Sequence, residues 1–270
     1  MTSGVNCLIE VYNLILHVTT LINLIAMRTY PHIIRLDTVD STNTYLRDNP
    51  SLWRIPYCTV FAREQTAGRG RASRSWHMTP GLDLAFSTLF LLPAESGDLS
   101  CLTLHAGLAV HRALRAHCGG ALTLKWPNDI CCEHKKLGGI LCEAVRDETT
   151  AAVIIGIGVN VNSTHFPEEI RGRATSLKRV TGRSFEIDPL LHEILDTLIP
   201  LVRDFRSPMD HRLFEEWIAS SNTIGSEVAF INDGREERGT ITAVNPDGSV
   251  DIAAEGGVIR GYRGDVLFDY

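Results

Sequence analysis

The chain has 270 residues, 44% of them hydrophobic, and its 26 Lys and Arg against 32 Asp and Glu give a formal net charge of −6. That length buries a sizeable core, and the acidic balance offers no general electrostatic footprint for nucleic acid. The seven cysteines show no C-x-x-C spacing, and adjacent Cys131 and Cys132 beside His134 are a poor start for a metal site; reduced thiols in a cytosolic protein are the simplest account.

At the N-terminus, Leu8 to Met27 is largely apolar but interrupted by Glu10, Asn13, His17 and Asn23, and no basic residue precedes Arg28. A signal peptide needs basic charge ahead of its apolar core. The stretch is long enough to span a membrane but weak in composition. Residues 1–29 are therefore read as an extension, either an irregular helix or sequence upstream of a true start at Met27, rather than a membrane anchor.

Asp40-Ser41-Thr42-Asn43 is a short polar motif. Downstream, residues 65–76 read Gln-Thr-Ala-Gly-Arg-Gly-Arg-Ala-Ser-Arg-Ser-Trp, which crowds Arg69, Arg71 and Arg74 around Gly68 and Gly70. Glycine permits positive φ and close approach of backbone to a ligand. Successive amides in such a turn form an anion-binding concavity, and guanidinium forks match carboxylate and phosphate oxygens. Short Arg/Gly runs are also solvated loops or nucleic-acid arms. The stretch is not a Walker A loop, and Ser73 stands where a G-x-G-x-x-G fingerprint needs its third glycine.

Leu84 to Leu92 is an apolar run that predicts a buried strand. Leu102 to His117 has helical spacing and is stopped by Cys118-Gly119-Gly120. Alternating Leu122, Leu124 and Trp126 predict a strand that Pro127 ends, with Asn128-Asp129 as turn chemistry and Ile130 to Cys132 as the return. Glu133 to Lys136 then forms a hairpin tip, where lysines are ordinarily solvated. Leu137 to Ala144 resumes as a strand, with Gly138 and Gly139 leaving room for a ligand or another backbone. Ala151 to Ile155 is a further strand, followed by Gly156-Ile157-Gly158-Val159-Asn160. Leu190 to Phe205, with Pro189 at its start, and Phe214 to Ser220 read as helices. After Ile224 the pattern changes to short strands, Glu227–Ile231, Gly239–Val244, Val250–Ala253 and Val258–Tyr262, with Gly-rich turns between them. Strands and helices mix without βαβ alternation, which argues for an α+β fold.

Taken together, the Gly-Arg-Gly-Arg loop, Lys125-Trp126-Pro127-Asn128-Asp129 and Lys136-Leu137-Gly138-Gly139-Ile140-Leu141 resemble the signatures of biotin–protein ligases. Asp40-Ser41-Thr42-Asn43 and Gly156-Ile157-Gly158-Val159-Asn160 match in the expected order, so the resemblance runs from about Arg35 to the C-terminus. It implies a mixed β-sheet flanked by helices, like that of class II aminoacyl-tRNA synthetases, over residues 30–223, and a small SH3-like barrel over residues 224–270. It places Ser41, Thr42, Asn43 and Gln65 in a biotin pocket, where hydroxyls and amides suit a ureido ring. Gly68, Arg69, Gly70 and Arg71 fall on the ligand's carboxylate and phosphate, with Trp76 packing beside the loop. Lys136 falls on the activated intermediate, close to Gly138 and Gly139. Lys125, Trp126, Asn128, Asp129 and Asn160 fall near the nucleotide.

The chemistry so implied is attack of the biotin carboxylate on the α-phosphorus of ATP, giving biotinyl-5′-AMP and pyrophosphate. Transfer to a lysine of a biotin carboxyl carrier protein or domain then releases AMP. Arg69, Arg71, Lys136 and Mg2+ carried with ATP supply positive charge where two anions meet, and no protein ligand set for the metal is evident. A loop that orders over the adenylate would keep water from it. One departure is Ser73, in place of a family glycine, since positive φ costs Ser more than Gly. Some members add an N-terminal helix-turn-helix and repress transcription. Here fewer than about 35 residues precede the matched region, with almost no Lys or Arg, so the expectation is a cytoplasmic ligase with neither nucleic-acid nor membrane partner. A homodimer joined along the sheet edge, as in many members, stands open beside a monomer. Two alternatives remain: a lipoate–protein ligase of the related family, whose loop lacks this Arg/Gly signature, and a biotin-responsive binding protein without turnover.

Overall fold

A computed structural model describes residues 31–268, apart from 147 and 149. The apolar stretch Leu8 to Met27 lies outside the described residues. Seven strands, β1 (Ile33–Val39), β2 (Thr59–Gln65), β3 (Leu84–Pro93), β4 (Leu122–Lys125), β5 (Asp129–Cys132), β6 (Lys135–Arg146) and β7 (Thr150–Val159), form one sheet in the order β1-β2-β3-β7-β6-β5-β4. Only β1 and β2 pair in parallel, joined across α1 (Thr42–Asp48); every other neighbouring pair is antiparallel. The sheet is therefore mixed, and the α+β expectation holds.

Strand β7 shows how the sheet divides its two faces. Side chains alternate along a strand, and Ala151, Val153, Ile155, Ile157 and Val159 all enter the main core. That core is closed by α2 (Leu102–Cys118). The short helices α3 (Glu168–Arg171) and α4 (Leu177–Thr181) come next in the chain, and α5 (Ile187–Arg203) then packs on α2. On the other face Ala152 and Ile154 lie under Leu46 of α1 in a second, smaller cluster. The next two residues on that face are Gly156 and Gly158. Where side chains would continue the second cluster, the strand leaves space.

Helix α2 ends at the expected stop, with Gly119 at φ +62 as its C-cap. Helix α5 begins at Ile187, two residues before Pro189, because proline fits the first turn, and it buries Leu190, Leu191, Ile194, Leu195, Leu198 and Val202 at helical spacing. The Phe214–Ser220 expectation corresponds to α6 (His211–Ala219), capped by Asp210. Strands β1 and β2 and helix α1 had no counterpart in the sequence reading.

The C-terminal expectation of short strands is met by a five-stranded antiparallel sheet, β8 (Glu227–Asn232), β9 (Arg235–Val244), β10 (Val250–Ala254), β11 (Gly257–Tyr262) and β12 (Val266–Phe268), in the order β11-β10-β9-β8-β12. It joins the larger body at the β9–β10 turn, where the Gly248 carbonyl accepts from Trp126 Nε1 at 2.9 Å. Gly248 sits at φ +86, and a Cβ there would lie 2.9 Å from the Cys101 backbone. Val228, Phe230, Ile241 and Val250 belong to the same apolar cluster as the larger sheet's core.

Candidate active site

Beside Gly156 and Gly158 lies a cavity of about 470 Å³, a size suited to a small organic ligand. In register, Ser87 of β3, Gly156 of β7 and Leu141 of β6 form one row across the sheet, and Ala85, Gly158 and Gly139 form the next. The glycines make the floor because other groups occupy the space above them. A Cβ on Gly156 would collide with the Asn43 carboxamide, and one on Gly158 would lie 2.7 Å from Trp76 Nε1. Gly138 permits a close strand approach, since its Cβ would sit 2.7 Å from the Gly158 carbonyl. Gly156 and Gly158 therefore sit inside β7, not after it as the sequence reading had them; their neighbours in the ladder hold the strand straight.

Over Gly156 is a neutral polar cluster. Ser41, Thr42 and Asn43 start α1, each less than 5% exposed. Gln65 Oε1 accepts from the Thr42 amide at 2.8 Å and lies 3.1 Å from its hydroxyl. Ser87 Oγ lies 2.6 Å from both Thr42 Oγ1 and Asn43 Oδ1. The cluster holds its geometry through these bonds while presenting donors and acceptors to the cavity.

Over Gly158 and Gly139, one strand step of roughly 6.5 Å away, lie Trp76 and Lys136. The indole N–H of Trp76 is buried and has no partner among the described residues. Lys136 is not on the hairpin tip as expected. Glu133 and His134, at φ +50 and +63, make a tighter turn, so Lys136 falls within β6. Its ammonium donates to Asp129 Oδ1 at 2.5 Å.

The Arg/Gly segment folds as a small hairpin, with Gly70 N to Arg74 O at 2.7 Å and Trp76 N to Gly68 O at 2.9 Å. Positive φ falls on Ala72 (+50) and Ser73 (+58), not on Gly68 or Gly70. Gly68 is required instead by proximity, since a Cβ there would be 2.7 Å from the Trp76 carbonyl. Ser73 thus does occupy a left-handed position of the kind glycine prefers. Arg69 Nη2 donates to both Glu143 oxygens at 2.9 and 2.8 Å, and Arg71 Nε donates to Asp265 Oδ1 at 2.9 Å. Of the cations that line the cavity, Arg69, Arg71 and Lys136 are each held by a carboxylate.

Residues 36–160 match the model of the biotin/lipoate A/B protein ligase family. The biotin–[acetyl-CoA-carboxylase] ligase of Paracoccus denitrificans is 31% identical over 233 residues, 82% of this chain and 94% of that one. The chain belongs to the biotin/lipoate A/B protein ligase family. The bifunctional ligase/repressor BirA of Bacillus spizizenii is 30% identical over 238 residues, 87% of this chain and 73% of that one. Among solved structures, a biotin protein ligase from Aquifex aeolicus in complex with biotin and ATP superposes with a TM-score of 0.74 at 30% identity, covering 89% of this chain and all of that one.

Most of the residues singled out by resemblance to this ligase family line the one cavity: Ser41, Thr42, Asn43, Gln65, Arg69, Gly70, Arg71, Trp76, Trp126, Asn128, Asp129, Lys136, Gly139 and Asn160. Gly68 and Gly138 act by backbone proximity behind it. Lys125 does not line it; its ammonium lies 3.8 Å from the centroid of the Phe268 ring, and burial lowers its pKa. Asn128 and Asn160 spend their amide N–H groups on the backbone, donating to Ile140 O at 2.7 Å and Thr175 O at 2.9 Å. Trp126, 2% exposed, is committed to the junction with the C-terminal sheet. Ser87, Arg173, Phe268 and Glu143 were missed. Ser87 sits in an apolar strand run where its face is the only signal, and Phe268 reaches the cavity through a strand pairing with no local cue.

Proposed function

We propose that this chain is an ATP-dependent biotin–protein ligase, which joins biotin to ATP as biotinyl-5′-AMP and passes it to a lysine of a biotin carboxyl carrier protein or domain. The observation that carries the reading is a single cavity that joins neutral hydrogen-bonding side chains over Gly156 to Lys136 beside Gly139 and to the loop arginines Arg69 and Arg71. Such a pairing suits a ligand with a polar uncharged head and an acyl end that becomes a phosphoric anhydride.

In the first step a biotin carboxylate oxygen bonds to the α-phosphorus, and the bond from that phosphorus to the β-bridging oxygen breaks, releasing pyrophosphate. Arg69, Arg71 and Lys136 offset the repulsion between the two anions and hold them in line. Lys136 reaches the ligand by sharing or leaving Asp129. In the second step the acceptor lysine nitrogen attacks the acyl carbon, the acyl–oxygen bond breaks, AMP leaves and the nitrogen sheds a proton. Mg2+ fits as a passenger on the ATP phosphates, because Asp129 supplies a carboxylate at the cavity wall and such sites ordinarily use one or two carboxylates besides phosphate. Bound there, it would add charge neutralisation at the phosphates.

Residues 30–223 are read as the catalytic unit and residues 224–270 as an SH3-like barrel. The five-stranded order and the Tyr262 hydroxyl, 3.3 Å from the Ile231 carbonyl and 3.0 Å from that of Asp265, support the barrel reading. A cytosolic setting agrees with the free thiols of Cys58, Cys101, Cys118, Cys131, Cys132 and Cys142. Among the described residues no helix is long and apolar enough to cross a membrane.

The test is pyrophosphate release from ATP and Mg2+ with biotin, lipoate or octanoate, for the wild type and Lys136→Ala. Release with biotin alone, falling about 100-fold in the variant, is expected for loss of one charge at a transition state. Release with lipoate instead moves the chain to the sister activity, and no release with any acid leaves a binding protein.

A further inference from the structure

Asn43 of the polar cluster has both ends of its carboxamide committed. Its Nδ2 donates to Glu143 Oε2 at 2.7 Å and, at 3.3 Å, to the Leu141 carbonyl; its Oδ1 accepts from Ser87. The Ser87 hydroxyl serves an amide in either orientation, since it both donates and accepts, so Ser87 does not choose the flip. A carboxylate only accepts. Glu143, at the shorter distance, and the Leu141 carbonyl, which also only accepts, together turn the Asn43 N–H end toward the β6 edge and its oxygen toward Ser87.

The same carboxylate receives Arg69 through Nη2 at 2.9 and 2.8 Å, and Arg47 Nη1 stands 3.8 Å from it. Glu143 lies opposite Ile154 in the β6–β7 ladder, two residues beyond Leu141 and four beyond Gly139 on the cavity face. Its side chain is 27% exposed, and that of Arg69 is 40% exposed. A pair this exposed contributes little to global stability, so its consequence is orientation. One acid joins the neutral polar cluster to an arginine of the loop.

We propose that Glu143 is a positioning residue for biotin, acting through Asn43 and Arg69: it fixes the Asn43 amide and holds the Arg69 guanidinium over the cavity. The role rests on the reading of the site as one that binds and activates biotin. Glu143→Gln keeps the shape but replaces an acceptor by a group that also donates, and removes the charge that holds Arg69.

The experiment uses the full chain and two readouts, labelled-biotin binding by equilibrium dialysis and steady-state pyrophosphate release with biotin and ATP varied separately. For E143Q the expected result is a roughly tenfold rise in biotin Kd and KM, with the ATP KM within about twofold of wild type. E143D, which retains charge and acceptor character, shifts biotin Kd in the same direction by less. N43A/E143Q loses less than the product of the two single losses, because the Asn43 route is shared and only the Arg69 route remains to be lost. Wild-type biotin affinity in E143Q, equal rises in both KM values, or multiplicative losses in the double variant would overturn the proposal. If the wild type binds biotin without releasing pyrophosphate, the catalytic reading fails while the Kd series still decides Glu143. If the wild type binds no biotin, both fail.

Discussion

Strands β6 and β7 form the cavity floor with backbone partners on both sides, and Gly156 and Gly158 are buried. Residues 66–76, of which Arg69 to Arg71 and Arg74 to Trp76 line the same cavity, are held by a few turn hydrogen bonds and two partly exposed ion pairs, and Ala72 to Ser75 are exposed. The two regions contain similar motifs on paper, each rich in glycine, yet glycine serves opposite ends. In the strands it makes a fixed absence of side chain, so that Asn43 and Trp76 rest directly on backbone. In the loop it permits close turns while arginines reach across to carboxylates on other elements. The floor sets which ligand fits, and the loop brings charge that has to be exchanged when an anion arrives.

The largest effect is expected from breaking the floor. Gly156→Ala places a methyl group into the Asn43 carboxamide. Because both strand neighbours hold the backbone, Asn43 must move, and kcat/KM for biotin should fall about 100-fold, the scale of loss for a displacement near 1 Å. The melting temperature should fall as well, because the methyl group displaces a buried carboxamide and its hydrogen bonds to Ser87 and Glu143, at a cost of about 1–3 kcal/mol. Unaltered kinetics would show that the floor is as compliant as the loop.

A substitution of intermediate size tests how rigid the floor's support is. Helix α2 packs against the opposite face of the sheet, and His105 on it is 1% exposed, its Nδ1 3.0 Å from the Cys101 carbonyl and its ring edge-on to Phe205. Burial holds the His105 pKa below the usual histidine value, with the Cys101 contact opposing, and burial likewise lowers that of His111. Both rings are therefore kept neutral in the fold. Their contribution is fully present above the unfolded-state pKa, about 6.5, and is lost as pH falls from there toward the depressed folded values. The unfolding free energy from urea titrations should drop between pH 7 and pH 5, by no more than about 1.4 kcal/mol per pH unit for each ring, and His105→Gln should flatten that slope. An equal slope in the variant would place the acid sensitivity elsewhere.

Much of the floor was legible because its constraints are local. The Leu84 to Leu92 run, the Leu102 to His117 periodicity and the Ala151 to Ile155 strand all appear where expected. The end of β7 was misread because two glycines in five residues look like a turn, and only the positions of Asn43 and Trp76 explain why they belong in a strand. Lys136 was misplaced for a similar reason: the tip closes through two left-handed non-glycine residues, Glu133 and His134, which local propensity disfavours. Strands β1 and β2 carry Arg35, Asp37, Arg63 and Glu64 among their apolar residues, so their pattern is blurred. The roles of Ser87 and Glu143 depend on pairing across strands distant in sequence, which no local pattern encodes.

The smallest thermodynamic effect, and the most selective one, is expected at Asp265. It accepts from Arg71 at 2.9 Å, with side chains 42% and 25% exposed respectively, so the pair is worth no more than about 1 kcal/mol. Asp265→Ala should leave the urea midpoint nearly unchanged. Trypsin can cut after Arg69, Arg71 and Arg74, and local opening of the loop, not global unfolding, controls that cleavage. Loss of about 0.5 kcal/mol from the closed loop should speed ligand-free cleavage roughly two- to threefold. Biotin with ATP should protect both proteins, because the ligand's anions take over the arginines. If the variant is cut no faster, the tie does not restrain the loop; if it loses global stability as well, loop and body unfold together and the contrast between the two regions fails. Equal cleavage of the wild type with and without ligand would refute ordering of the loop over the adenylate.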